Sequence, residues 1–451
     1  MKKLFSLFLF ILFIYGGTSF AQESRTITLQ EAIEIALENN YQLKQAKNNL
    51  DLADKQITSE YADFLPNISS SLSYGKTAGQ QFIQDQVSFS DVTSASASGR
   101  ISASISLFDG FNNINTLRQS EYSKLSNEEQ LERAKENVIF NTASAYLSVL
   151  VNTELLEIAE DNLETSKKQL EQTKAQVEVG SRPSVDLYTQ ESAVATNELN
   201  VIQRENQLRL SKVQLIRQLQ IDPLIEYEFE IPEIAGDYEL SGVDSYHLSE
   251  LIDDALLNRS DLKSEVANIR SQEFQLKIAK GSLYPSISAN ATLSTRWSDR
   301  YFLPDATFSD QFFDQQVNKG FGFSFNLPIF QNWNRIHSIQ SAKIQLKNSK
   351  LSLENSKLGI IQEVTQAYND YIAYQQQLES SRKALTASEK AFETQQERYK
   401  VGASTLIELS QTQSEYVSAQ SDYTQAQYNL IFQEKLLDYF LGKLNKDTVK
   451  F

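Results

Sequence analysis

Apolar residues recur every seven positions along two long stretches of the chain. In the first, Leu156, Leu163, Leu170 and Val177 lead to Val179-Gly180, and Leu187, Val194, Val201, Leu208 and Leu215 lead away. In the second, every position lies 222 residues further on: Leu378, Leu385, Phe392 and Tyr399, then Val401-Gly402, then Leu409, Tyr416, Tyr423, Leu430 and Leu437. A seven-residue period held over four or five heptads predicts a coiled-coil seam with a left-handed supercoil. Two long helical hairpins of one design follow, at about 112–220 with a tip at 179–184, and at about 333–441 with a tip at 401–406. Each heptad carries one strong apolar residue. The partner positions hold Ala159, Ser166 and Thr173, or Ser381, Ser388 and Gln395. So narrow a stripe suits a two-helix seam or a hollow wall, because a solid bundle needs roughly three apolar positions in seven.

The period changes upstream of each hairpin. Ile33, Ala36, Leu37, Leu43, Ala46 and Leu50 predict one helix from about Leu29 to Phe64, opened by Thr28 and Glu31 as a capping box and closed before Pro66. Strict alternation follows: Ile101, Ala103, Ile105 and Leu107 against Ser102, Ser104 and Ser106. Strands are predicted at about 66–76 and 97–108, separated by a polar loop around 76–96 that leaves room for frayed strand extensions. The second half repeats the order. Ile252, Ala255, Leu256, Asn258 and Leu262 match Ile33, Ala36, Leu37, Asn39 and Leu43 at an offset of 219. Strands are predicted at about 285–296 and 319–330, around a loop rich in aromatic residues that holds Trp297, Tyr301, Phe302, Phe308, Phe312 and Phe313. The first repeat then covers 22–221 and the second 248–442. An irregular connector, 222–247, joins them, and a tail, 443–451, ends the chain.

Strands of about 8–11 alternating residues have the length that a tilted strand needs to cross a bilayer. Alternation alone suits a soluble sandwich as well as a barrel. Four strands cannot close a barrel, and an open edge cannot face lipid. A membrane barrel would therefore draw strands from several copies: two copies give eight strands and a filled interior, three give twelve and room for a channel. The first 21 residues read as an export signal, with Lys2-Lys3, an apolar run from Leu4 to Tyr15, and Ser19-Phe20-Ala21 before the cleavage point. That run is too short for a spanning helix, which needs ~20 residues.

Composition removes most chemistry. The 451 residues include no Cys and two His, His247 and His337. That leaves no disulfide, thiolate metal site, cysteine nucleophile or cysteine for a lipid anchor. No catalytic constellation, metal cluster or cofactor motif is present, so an enzyme is not expected. The net charge of −16 disfavours nucleic acid, which is bound through Lys and Arg. A periplasmic coiled-coil adaptor or scaffold without a pore is the alternative. It accounts for the hairpins and leaves the strand pairs unexplained.

Two turn sequences, Val179–Leu187 (VGSRPSVDL) and Val401–Leu409 (VGASTLIEL), and two helix-to-strand junctions, LPNIS and YPSIS, stand in register with the strand pairs. In this arrangement the whole chain after the export signal resembles the TolC-like outer-membrane efflux proteins, the outer membrane factors. The resemblance implies an α+β membrane protein with two repeats of helix, strand, strand and long helical hairpin. It implies a homotrimer with a 12-stranded β-barrel in the outer membrane and an α-helical tunnel in the periplasm. It also implies a passive duct for tripartite efflux or type I secretion, docking a periplasmic adaptor (a membrane fusion protein) and an inner-membrane transporter.

Candidate residues gather at the turns. Gly180 and Gly402 are expected to end their helices in the left-handed region. With Val179, Ser181, Val401 and Ala403 they are the docking candidates that the resemblance implies. Asp186 and Glu408 occupy one repeat position. Thr405 and Glu408 read as a capping box, and the resemblance makes both acids candidates for a cation-selecting ring. The family's second acid is replaced by Thr189 and Gln411. Its tip arginine is matched by Arg182 in the first repeat and its gating tyrosine by Tyr399 in the second, so the pair is split between repeats.

Overall fold

The computed structural model describes residues 25–83, 87–231, 247–300 and 306–446. The export signal, most of the connector, Tyr301, Phe302 and the end of the tail lie outside the described residues. Elements run in the order β1 (Arg25–Ile27), α1 (Leu29–Asn39), α2 (Tyr41–Ala62), β2 (Asn67–Ile83), β3 (Ser88–Phe108), α3 (Asn112–Glu178), α4 (Ser184–Leu219) and β4 (Tyr227–Phe229). The second half follows with α5 (Leu248–Asn258), α6 (Ser260–Gly281), β5 (Ser286–Ser298), α7 (Phe308–Asp310), β6 (Asn318–Asn326), α8 (Asn334–Lys400) and α9 (Leu406–Phe440). The order helix, strand, strand, long hairpin thus occurs twice. The described residues fall into two compact units, one within 25–44, 133–259 and 360–446, the other within 45–132 and 260–359. The helices α3 and α8, each 67 residues and so on the order of 100 Å long, contribute to both.

In the second unit the strands form one antiparallel sheet in the order β2-β3-β5-β6. Register places Ile101 opposite Leu293, and Ala291 opposite Ala103 and Phe321, on one face. The other face carries serine ladders. The hydroxyls of Ser69 and Ser102 are 2.8 Å apart, and those of Ser73 and Ser98 2.7 Å. Residues 76–96, expected as a loop, are mostly strand: β2 and β3 pair from Asn67↔Ser104 out to Ile83↔Ser88. The ladder is made by backbone groups and needs no strict side-chain alternation, so this segment pairs although its few apolar residues, such as Phe82, Phe89, Val92 and Ala95, keep no single parity. β6 ends earlier than expected, at Asn326, because Leu327 leads into Pro328, which has no N–H to give a ladder.

The helix expected from Leu29 to Phe64 is broken at Asn40, whose backbone leaves the helical region (φ −55°, ψ 122°). Its side-chain oxygen accepts from the N–H of Leu43 at 3.0 Å and so opens α2. The second repeat breaks at the matching place, Arg259 (φ −59°, ψ 123°). Helical spacing continues across both joints, which hides them from a periodicity reading. The connector is not wholly irregular either. β4 pairs in parallel with β1, and the buried Tyr146 hydroxyl sits 3.0 and 2.7 Å from the carbonyls of Ile27 and Glu230. Ile33, Ile139, Ala143 and Leu444 form a small core beside it.

The junction from strand to long helix uses one device twice. Gly110 and Phe111 have φ of 73° and 67°, and Asn332 and Trp333 have 45° and 65°. Asp109 then opens α3, accepting from the N–H groups of Asn112 and Asn113 at 2.9 and 2.8 Å. A Cβ on Gly110 would stand 2.3 Å from the Gly281 carbonyl oxygen. Gly110→Ala therefore adds a backbone clash to a left-handed strain of about 1–2 kcal/mol. The thermal unfolding midpoint in detergent is expected to fall for this variant. It should hold for Gly75→Ala, whose added methyl meets nothing within 4 Å.

Candidate functional site

Both long hairpins turn in the same way. The N–H of Ser181 reaches the carbonyl of Gln176 at 2.9 Å, and that of Gly180 reaches Val177 at 3.0 Å. The N–H of Ala403 reaches Arg398 at 2.8 Å, and that of Gly402 reaches Tyr399 at 3.0 Å. With φ of 74° and 75° at the glycines, both are Schellman closures, which use the last helical carbonyls and leave the backbone sharply reversed. Val179 and Val401 at these turns are both almost fully exposed, at 79 % and 78 %.

The side chains then diverge. Glu408 is absorbed by its own turn. It completes a capping box with Thr405, accepting from the Thr405 N–H at 3.1 Å while its N–H gives to the Thr405 hydroxyl at 3.2 Å. The same carboxylate oxygen accepts from Ser404 at 2.8 Å and from Gln395 at 3.1 Å. The Thr405 N–H first, then the Ser404 hydroxyl, holds the Glu408 carboxyl below its ordinary 4.5. Asp186 does no such work. Helix α4 starts at Pro183 with no side-chain cap, and Asp186 lies 3.8 Å from Arg182 instead. Two acids at one repeat position therefore have different environments.

Arg182 joins the two hairpins. Its guanidinium lies over the Tyr399 ring, 4.2 Å from the centroid, and donates to the Tyr399 carbonyl at 3.1 Å. Phe392, Leu406 and Leu409 pack around Tyr399, whose hydroxyl is buried with no hydrogen-bond partner among the described residues. The arginine and tyrosine that the sequence divides between repeats thus meet across them. Thr189 bonds back to the Val185 carbonyl at 2.9 Å, and Gln411 bonds to Glu415 at 2.7 Å, so both are spent on their own helices.

Sequence reading missed a polar layer behind the turns. Gln190 and Ser166, at 1 % and 2 % exposure, are among the most buried residues of the hairpins. Gln190 donates to the Ser166 carbonyl at 3.1 Å, Asn197 to the Ser166 hydroxyl at 2.7 Å, and Gln413 to Asn162 at 2.7 Å. The signal was present in the polar partner positions of the seam, Ser166 among them. They read as a narrow stripe, whereas they form hydrogen-bonded contacts between α3, α4 and α9. Cavities of about 310–420 Å³ flank this layer, lined by residues such as Asn162, Asn200, Gln413 and Val417. Among the described residues no cluster of metal-ligating side chains occurs, and no helix is long and apolar enough to cross a membrane.

Comparison with known proteins places this geometry. The family model for outer membrane efflux proteins matches residues 32–219 and 251–443. Outer membrane protein TolC of Salmonella enteritidis is 21 % identical over all of this chain and 88 % of its own length. A probable efflux pump outer membrane protein of Pseudomonas putida, TtgC, is 24 % identical over 83 % of this chain and 74 % of its own. The crystal structure of the outer membrane protein VceC from Vibrio cholerae superposes with a TM-score of 0.77 at 16 % identity, covering 92 % of this chain and 96 % of that one.

The contrast between the acids is testable at the backbone. A carboxyl whose folded pKa is depressed stabilises its cap above the unfolded value and loses that contribution as pH falls through the folded one. Hydrogen-exchange protection of the amides at the start of α9 should therefore fall on acidification below the ordinary carboxylate range. It should fall at neutral pH in Glu408→Ala. Asp186→Ala should leave the protection at the start of α4 as it is.

Proposed function

The chain belongs to the outer membrane efflux protein family, matched over both repeats, and on that premise we propose that it is the outer-membrane channel of an efflux system. It is a passive duct with no chemistry of its own. The carrying observation is the four-stranded sheet with one apolar and one serine-rich face, whose edges β2 and β6 have no strand partner among the described residues. Apolar parity meets lipid, polar parity meets an aqueous lumen, and further copies of the chain close the edges. Three copies of four strands make a 12-stranded barrel wide enough for a channel. The long hairpins form the periplasmic tunnel. Their turns, with exposed Val179 and Val401 beside Gly180, Ser181, Gly402 and Ala403, dock a periplasmic adaptor and through it an inner-membrane pump. Export through a cleaved N-terminal signal, without a lipid anchor, brings the chain to the outer membrane.

The contact between Arg182 and Tyr399 is read as the latch of the periplasmic entrance. A guanidinium over an aromatic face contributes about 0.5–2 kcal/mol, and a charged hydrogen bond about 1.5–3 kcal/mol. Losing both shifts a closed-to-open equilibrium by roughly tenfold or more per copy. In planar bilayers Arg182→Ala is expected to raise the open fraction, as is Tyr399→Ala. Tyr399→Phe should stay closed like the parent, because the hydroxyl has no partner among the described residues. Arg182 also offsets Asp186. Arg182→Ala should therefore sharpen cation preference, and adding Asp186→Asn should remove the gain. Absence of any conductance from the parent and from both alanine variants overturns the channel reading in favour of a scaffold without a pore.

A further inference from the structure

The segment 306–316, between β5 and β6, folds back onto one face of the sheet. Thr307 and Asp310 close a capping box, and a π-helical turn, Gln311–Gln315, follows. Gln311, buried to 3 % exposure, accepts from the Ser298 N–H at 3.0 Å and donates to the Ala306 carbonyl at 3.3 Å. The Thr295 hydroxyl donates to the Phe312 carbonyl. These bonds hold a stack of rings. Phe308 lies 5.6 Å from Trp297 and 5.1 Å from Phe312, and Phe313 lies 5.2 Å from Phe312.

Register decides which face carries the stack. Gly99 pairs with Thr295 and Ala97 with Trp297, in the same parity as Ile101 and Leu293. A Cβ on Gly99 would meet the Phe312 ring at 3.0 Å, so glycine there makes room for it. Ala95 and Ala97 on this parity are buried, while Ser98 and Arg100 on the opposite one are exposed. The rings therefore cover the apolar face, while the serine-rich face stays open at the level of Ser98 and Arg100, although Val92 further out on it is buried. A plug for the mouth would lie on the other side.

The level of the stack is also informative. From Ile287 to Trp297 the apolar parity of β5 spans ten residue steps. At about 3.4 Å each and a tilt near 40° this rises about 25 Å, the height of the apolar band of an outer-membrane barrel. Phe108, Phe111 and Tyr284 ring the lower limit, with centroids 5.2 and 6.3 Å apart. Above the upper limit the same parity of β2 and β3 turns to Lys76, Gln80 and Asp91. Phe308 and Phe313, part of the stack yet 47 % and 70 % exposed, thus stand at the outer end of the band. Aromatic rings favour this boundary, where one end is apolar and the other wet.

We propose that 306–316 is a folded interfacial anchor, standing on the outside of the barrel and inserting Phe308 and Phe313 at the headgroup–acyl boundary of the outer leaflet. The proposal rests on the barrel reading above. The chain holds two tryptophans, Trp297 and Trp333, so a background of W297F and W333F is silent in fluorescence. In that background, Phe313→Trp reports the anchor and Phe321→Trp the middle of the band, each in the full chain in phosphatidylcholine vesicles. Phe308→Trp is a second probe should the first fail to assemble. Lipids brominated near the carbonyl should quench the anchor probes several-fold more than lipids brominated near the methyl end, and Phe321→Trp should show the reverse. An anchor probe quenched by aqueous iodide as freely as tryptophan in solution, and untouched by brominated lipid, overturns the anchor while Phe321→Trp keeps the barrel. If brominated lipid reaches neither position, the barrel reading falls and the anchor falls with it.

Discussion

Unpaired backbone N–H and C=O groups cannot face hydrocarbon, and each one left there costs several kcal/mol. This constraint organises the molecule. The sheet β2-β3-β5-β6 satisfies its interior ladders and leaves two edges, so as a membrane element one chain is unfinished. Alternation then assigns the faces. The length of the apolar parity sets the height of the band, and rings gather at both of its limits. On the proposed reading, further copies close those edges around an aqueous lumen, and strand register puts the ring stack on the lipid side.

Duplication supplies the second theme. Backbone devices are copied faithfully: the helix break at Asn40 and Arg259, the left-handed pair before each long helix, and the Schellman turn at Gly180 and Gly402. Side chains at equivalent places have separated. Glu408 is tied into a cap while Asp186 faces Arg182, and Arg182 meets a tyrosine that only the second repeat carries. Keeping the turn and changing its side chains produces one contact between hairpins that neither repeat makes alone. The buried glutamines and serines behind it fix the helices by hydrogen bonds, which demand a particular register more strictly than a wide apolar stripe does.

Much of this was legible in the residues. Heptads gave the hairpins, alternation gave the strand parity, and the fixed offset gave the repeat. What stayed hidden has physical reasons. The text between Lys76 and Ser96 reads as loop because backbone pairing needs no alternation, and its few apolar residues, such as Phe82, Phe89, Val92 and Ala95, keep no single parity. A one-residue break such as Asn40 does not disturb helical spacing. The partnership of Arg182 with Tyr399 spans 217 residues, and local pattern carries no information at that distance. The side of the sheet covered by Phe312 depends on register, which aromatic content alone cannot fix.

The account depends most on the free edges being closed by other copies of the same chain. Native mass spectrometry of the protein, extracted from membranes in detergent that preserves its conductance, measures this directly. The account predicts a particle of three chains, in which four strands from each complete the barrel. A conducting particle of one or two chains would contradict it.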